Sequence, residues 1–306
     1  LNQMGKGRIT IPTDAGFVEE TKKIMKEWGA DAVRDCDGTT LPANASELAD
    51  KVYNTYFVIR GDYDWAMANK DEWQHVYLLS GFCTASSDTL KIRLMDGYFE
   101  QQVKPDFASD PKKYWEVIDR TTGRLLDPSE WDFDEREGTV TVKKAELFHD
   151  YTVSFLAISL WDPVHMYNSI TNGWTEKKHI MYDPFYPKTA KYIREHLADW
   201  CDKHPETSVV RFTTFLYQFS LVFNDKGKEK NVNWFGYSMA VSPRMLDAFE
   251  KEYGYKMRAE YLIEAGRYDS SFNVPTKQYL DYMAFIEKFV CDTVKDLVKI
   301  THEKKK

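Results

Sequence analysis

The chain has 306 residues, 43% hydrophobic and 29% charged, which is the make-up of one large or two ordinary globular domains and not of a disordered or coiled-coil chain. Forty-one Lys and Arg against 48 Asp and Glu leave a net charge of −7, which argues against a general affinity for nucleic acid or anionic membrane. No run approaches the ~18 apolar residues of a membrane span, and residues 1–8 carry no apolar signal-peptide core. The four cysteines, Cys36, Cys83, Cys201 and Cys291, stand far apart without a CxxC, so the expectation is a reduced, cytoplasmic protein with neither a disulfide framework nor a zinc site.

After Pro12, Phe17, Thr21, Ile24, Met25 and Trp28 recur at helical spacing, with Asp14 placed to cap the helix and Gly29 to stop it. Ala30-Asp31-Ala32-Val33-Arg34-Asp35 then predicts a short strand closed by the turn pair Asp37-Gly38. Residues 46–57 read as a second helix, and Val76-Tyr77-Leu78-Leu79 as a buried strand. Over residues 115–142 the pattern changes to hairpins turning at Thr122-Gly123 and Glu137-Gly138, which predicts a small antiparallel insertion. Residues 151–160 form a long apolar strand ending in Trp161-Asp162-Pro163, residues 189–203 a helix, and Val209-Val210-Arg211-Phe212-Thr213-Thr214-Phe215 the strand after it. From residue 275, Tyr279, Tyr282, Met283, Ile286, Phe289, Val290, Val294, Leu297 and Val298 lie three or four apart, as on one long core-facing helix. Strands alternating with helices predict a parallel sheet.

Parallel α/β folds collect ligands at the carboxyl ends of their strands. Arg34, Asp35 and Asp37 close one predicted strand, Asp162, His165 and Asn168 another, and Arg211 lies inside a third. An arginine in an apolar strand is costly without an anionic partner, so Arg211 either pairs with one of those aspartates or serves an anion. For Arg34 the competing reading is a salt bridge to Asp31 or Asp35. Asp35 and Asp37, or either with Asp162, have the chemistry of a glycosidase carboxylate pair, although such aspartates also cap helices and turns. No GxSxG elbow, HExxH or P-loop is present, and His149 and His165 lack metal-ligand spacing. Aromatic residues are 15% of the chain; Trp161, Trp174, Trp234 and Tyr237 suit either stacking on a sugar ring or filling core.

Several strings in collinear order resemble one family. They include Trp28-Gly29-Ala30-Asp31-Ala32-Val33-Arg34-Asp35-Cys36-Asp37-Gly38-Thr39, Trp161-Asp162-Pro163-Val164-His165-Met166-Tyr167-Asn168, Val210-Arg211-Phe212-Thr213-Thr214-Phe215 and Trp234-Phe235-Gly236. The resemblance is to the inverting β-galactoside phosphorylases of glycoside hydrolase family 112, which include galacto-N-biose/lacto-N-biose phosphorylase and galactosyl-rhamnose phosphorylase. It implies an α/β fold in which residues 1–306 belong to a (β/α)8 TIM-barrel catalytic domain, incomplete here, with about the first half of the barrel and the β insertion at 115–142. It implies reversible phosphorolysis of a β-galactosyl disaccharide to α-galactose 1-phosphate and a free acceptor sugar, with inversion, inorganic phosphate as co-substrate and no cofactor or metal.

Matched position by position, Arg34 and Arg211 fall on the galactose and phosphate side, and Pro163, Val164, Asn168, Trp234 and Tyr237 on the acceptor side. Tyr237 replaces the cysteine of the lacto-N-biose member, which leaves N-acetylglucosamine, N-acetylgalactosamine and rhamnose open as acceptors. The family's general acid, an aspartate on the strand after the long helix, is expected beyond Lys306, so no catalytic residue is assigned within the chain. The expected partners are the disaccharide and phosphate, with no nucleic acid or membrane, and the full-length enzyme is expected to be a homo-oligomer. An inverting phosphorylase needs one acid and cations for phosphate, where an inverting hydrolase needs a second carboxylate to activate water. The alternatives are a galactoside hydrolase and a non-catalytic sugar-binding fragment.

Overall fold

The computed structural model describes residues 9–36, 39–161, 177, 179–213, 216–217, 220–233, 240–268 and 274–306. In chain order its strands are β1 (Thr10–Pro12), β2 (Ala32–Arg34), β3 (Lys51–Phe57), β4 (His75–Leu79), β5 (Cys83–Thr84), β6 (Leu90–Arg93), β7 (Val103–Pro105), β8 (Glu116–Asp119), β9 (Arg124–Leu125), β10 (Trp131–Asp134), β11 (Thr139–Val142), β12 (Asp150–Ser159), β13 (Val209–Thr213), β14 (Ser220–Phe223) and β15 (Glu229–Asn233). They fall into two compact units. One comprises Leu1–Ile59, Ala190–Phe215 and Val290–Lys306, the other Arg60–Thr189 and Leu216–Phe289.

The first unit holds a parallel sheet of order β1-β2-β3-β13. Its first helix, α1 (Val18–Trp28), ends where predicted, at Gly29 with φ 65°, but Asp14 caps the 3-10 turn Ala15–Phe17 that leads into it and not α1 itself, its carboxylate accepting from the Gly16 amide at 2.8 Å and the Thr40 amide at 3.0 Å. Thr21 and Met25 turn inward, while Phe17 and Trp28, predicted on the same apolar face, are exposed. Met25 packs with Ile11, Val33 and Val52. Tyr56, four residues beyond Val52 and so on the same side of β3, meets the helix Pro187–Lys203, its hydroxyl 2.8 Å from His196 Nδ1 and its ring 5.2 Å from that of Trp200. Helices therefore cover one face of this sheet. Side-chain alternation puts Arg34, Tyr53, Thr55 and Arg211 on the opposite face, in the register Arg34 with Tyr53 and Arg211 with Thr55.

Residues 46–57 are not a helix. A single turn, α2 (Ala45–Leu48), gives way at Asp50 to β3. Val52 and Tyr56 are buried four apart, a spacing that fits both the helical period and two strand periods, and the β-branched and aromatic residues between them decide for strand.

The second unit is antiparallel. β12 pairs with β4, β5, β7 and β8, and β8 pairs with β9; a second sheet runs β10-β11-β6, and β14 and β15 form a hairpin. Residues 76–79 and 151–160 fall on strands as predicted, but these are antiparallel neighbours with Phe155 opposite Leu78, and neither lies in the parallel sheet. Seven consecutive residues from Tyr151 to Ala157 are buried, and an apolar run covered on both faces carries no mark of its partner's direction. Within residues 115–142, β8 turns into β9 with Gly123 at φ 77° and β10 into β11 with Gly138 at φ 61°. Their outer neighbours, β12 and β6, come from elsewhere in the chain. The helix Lys277–Glu303 carries the predicted stripe, with the Tyr282 ring 5.0 Å from that of Phe249 on the helix Pro243–Tyr253.

Candidate functional site

β2 ends at Arg34, and the chain stays in register one residue further, the Asp35 amide donating to the Tyr53 carbonyl at 3.3 Å. The Asp35 carboxylate then reaches β3: Oδ2 accepts from the Thr55 amide at 3.0 Å and Oδ1 from the Thr55 hydroxyl at 2.7 Å. Thr55 is the register partner of Arg211, whose Nη2 lies 4.0 Å from Asp35 Oδ1. Two arginines and one carboxylate thus gather at the carboxyl ends of β2 and β3 and on β13, on the sheet face away from the helices.

Arg211 was expected to be buried, either in an ion pair or at an anion site. Its side chain is 34% exposed, against 16% for Asp35, and 4.0 Å is the outer limit of an ion pair, so most of the guanidinium's five donors stay available to an anion. Among the described residues Arg34 pairs with neither the Asp31 nor the Asp35 carboxylate; Nη1 donates to the Asp35 main-chain carbonyl at 3.2 Å and to Cys36 Sγ at 2.9 Å. Cys36 is held in turn by Thr39, whose hydroxyl accepts from the Cys36 amide at 2.8 Å. The acceptor-side residues Pro163, Val164, Asn168, Trp234 and Tyr237 lie outside the described residues, as do Asp37, Asp162, His165 and Trp174.

Residues 7–306 match the family described as the lacto-N-biose phosphorylase N-terminal TIM barrel domain. The chain belongs to this family. It is 49% identical over 302 residues to a 1,3-beta-galactosyl-N-acetylhexosamine phosphorylase of Lachnoclostridium phytofermentans, covering 98% of the chain and 42% of that protein. It is 46% identical over 297 residues to the 1,3-beta-galactosyl-N-acetylhexosamine phosphorylase of Bifidobacterium longum, covering 97% and 40%. It is 37% identical over 302 residues to the D-galactosyl-beta-1->4-L-rhamnose phosphorylase of Lachnoclostridium phytofermentans, covering 98% and 42%. The chain therefore spans about two fifths of the length of the curated relatives it matches. The fold agrees with the family: helices on one side of a parallel sheet and polar side chains on the other is the wall of a TIM barrel, open here in that β1 and β13 each have one strand neighbour among the described residues.

Elsewhere in this barrel-family chain, polar groups serve structure. Trp161 is buried, its ring 6.0 Å from that of Phe223, and fills core instead of offering a face to a sugar. His149 Nδ1 is 2.9 Å from Asp119 Oδ2; burial pushes the Asp119 carboxyl up, but hydrogen bonds from Thr122 and His149 outweigh it and hold it below the usual range. A cavity of about 530 Å³ in the second unit is lined by Phe82, Arg120, Arg258, Glu260 and Arg267 among others. Its Arg120 is engaged bidentately by Glu260, at 2.7 and 2.8 Å, and its Arg258 by Glu116 at 3.3 Å. Among the described residues no three His, Cys, Asp or Glu side chains gather as a metal site requires, and no helix is long and apolar enough to cross a membrane.

Two buried acids escaped sequence reasoning. His75 Nε2 lies 2.9 Å from Asp106 Oδ2. Asp183, fully buried, accepts at Oδ1 from the Phe185 amide at 2.8 Å and from the Tyr217 hydroxyl, while Oδ2 has no hydrogen-bond partner. Burial pushes the Asp183 carboxyl up, against hydrogen bonds from the Tyr217 hydroxyl and the Phe185 amide that pull it down. Nothing in Tyr-Asp-Pro distinguishes such an acid from an ordinary turn aspartate.

Proposed function

We propose that this protein carries out phosphate-dependent cleavage of a β-galactosyl disaccharide, giving α-galactose 1-phosphate and a free acceptor sugar with inversion. Arg34 and Arg211 hold phosphate and the galactose side; Pro163, Val164, Asn168, Trp234 and Tyr237 form the acceptor side. Inorganic phosphate is the co-substrate and no cofactor or metal takes part. The protein works in the cytoplasm as a homo-oligomer. The observation that carries this reading is the pair of partly exposed arginines on the inner face of the parallel sheet, flanking a carboxylate whose two oxygens are both taken by Thr55. The names of the relatives, which act on galactosyl-N-acetylhexosamines and galactosyl-rhamnose, support it.

Phosphate arrives as an anionic nucleophile, so the site has to hold it against its own hydration and against the departing sugar, and planar guanidiniums do this bidentately. Water would instead need a carboxylate to take its proton. Among the described residues the acid beside Arg211 is Asp35, whose two oxygens each accept from a Thr55 donor and which faces that cation, so it is engaged with the protein's own donors. The hydrolase reading has no described residue to carry it.

The product decides between the two: lacto-N-biose, galacto-N-biose or galactosyl-rhamnose incubated with and without phosphate should give galactose 1-phosphate only when phosphate is present. Release of free galactose at equal rates in both would refute the proposal. Arg211→Ala should weaken phosphate use by about 2 to 3 kcal/mol, roughly 30- to 150-fold in kcat/KM for phosphate, with a smaller effect on the disaccharide. Substitutions at Val164, Asn168 or Tyr237 should change which acceptor is used in the reverse reaction while galactose 1-phosphate affinity stays nearly constant; equal losses for all acceptors would place these residues elsewhere.

A further inference from the structure

We infer that Asp35 is a positioning residue that fixes Arg211 for phosphate, an inference that rests on the proposed reading of Arg211. Three observations carry it. The carboxylate is itself immobilised, because Thr55 supplies a main-chain and a side-chain donor to its two oxygens, at 3.0 and 2.7 Å. Thr55 is also the residue opposite Arg211 in the β3–β13 ladder, so the strand that locks the carboxylate is the one that carries the guanidinium's neighbour. And Asp35 Oδ1 stands 4.0 Å from Arg211 Nη2, near enough for charge attraction and too far for a hydrogen bond.

A fixed anion at that distance biases where a long, flexible side chain rests without consuming its donors. An arginine otherwise free to swing into solvent would lose rotamer freedom on each binding event; one already held in place by Asp35 has lost part of it beforehand. The same clamp crosses from the end of β2 to β3, and Arg34 closes the loop by donating to the Asp35 carbonyl at 3.2 Å. Asp35 thus links both arginines.

The test is steady-state kinetics on the protein as its gene encodes it, varying inorganic phosphate at saturating disaccharide. Asp35→Asn keeps an acceptor for Thr55 and removes the charge; it should raise KM for phosphate roughly 3- to 30-fold, within the range of coupling between neighbouring residues, and leave kcat at saturating phosphate within about twofold. Thr55→Val keeps the charge but frees one carboxylate oxygen, and should move KM for phosphate in the same direction by a smaller factor; it decides the matter should Asp35→Asn fail to fold. In an Arg211→Ala background, Asp35→Asn should change KM for phosphate by less than about twofold, because nothing remains to be positioned.

Full additivity of the two substitutions would overturn the inference, as would a fall in kcat with KM for phosphate unchanged, which would mean that Asp35 acts on the sugar or on a proton. An Arg211→Ala protein with unaltered KM for phosphate would remove the reading of Arg211 and the positioning role together. A raised KM in Arg211→Ala with none in Asp35→Asn and Thr55→Val would remove the positioning role alone.

Discussion

Single residues show opposite consequences of burying an acid. In the Asp106 pair, burial raises the carboxyl but the hydrogen bond and charge of His75 outweigh it, so Asp106 sits below its ordinary range. Its contribution to stability is present above about pH 4 and is lost as pH falls through the lowered folded value. Asp183 is the reverse case, raised by burial with one oxygen unpartnered. Its contribution is complete below about pH 4 and is lost as pH rises through the raised folded value, where the buried carboxylate ionises. Asp183→Asn cannot ionise and keeps an acceptor for Tyr217. The melting temperature of the variant relative to the parent should therefore rise as pH is raised above about 4. A difference independent of pH would mean that the Asp183 carboxyl is not raised on folding. Legibility at this scale followed chemistry: Arg34 and Arg211 could be read from the sequence because a guanidinium in an apolar strand is anomalous. The Asp35 clamp could not, because its partner Thr55 lay in a stretch that reads as helix.

At the scale of elements, helices with caps were the most legible. Gly29 marks the end of α1 and Asp14 the 3-10 turn that leads into it, while a sustained three-and-four spacing marks Lys277–Glu303. Gly29 stands at φ 65°, and a Cβ added there would meet nothing within 4 Å. The cost of Gly29→Ala is then backbone strain alone, about 1 kcal/mol of unfolding free energy. Asn tolerates the left-handed region better than Ala does, so urea melts should rank Gly29 above Asn and Asn above Ala. Equal stability of the Asn and Ala proteins would show that the helix end adjusts its conformation. Residues 46–57 show the limit of periodicity, since two buried positions four apart satisfy helix and strand alike and only β3's place between β2 and β13 resolves them.

For the whole molecule, strand pairing is what the sequence concealed. The fully buried runs at β4 and β12 look like neighbours in a parallel sheet because apolar strands there are covered on both faces, yet they pair antiparallel in the second unit. The parallel sheet instead takes β1 and β3, of three and seven residues, neither of which was anticipated as a strand. Its outer strands matter for behaviour in solution. β1 pairs only with β2 and β13 only with β3 among the described residues, whereas a closed TIM barrel leaves no edge. Unpaired edges present rows of main-chain donors and acceptors that another chain can extend. A polypeptide limited to residues 1–306 should accordingly self-associate: sedimentation velocity should show mass-average size increasing with concentration. Ile9 and Thr13 bond β2, so the Thr10 amide between them faces the open edge, and replacing Thr10 with Pro, which removes that donor, should alter the increase more than an exposed change such as Lys22→Ala on α1. A single monomeric species at all concentrations would show that the two edges are covered in solution.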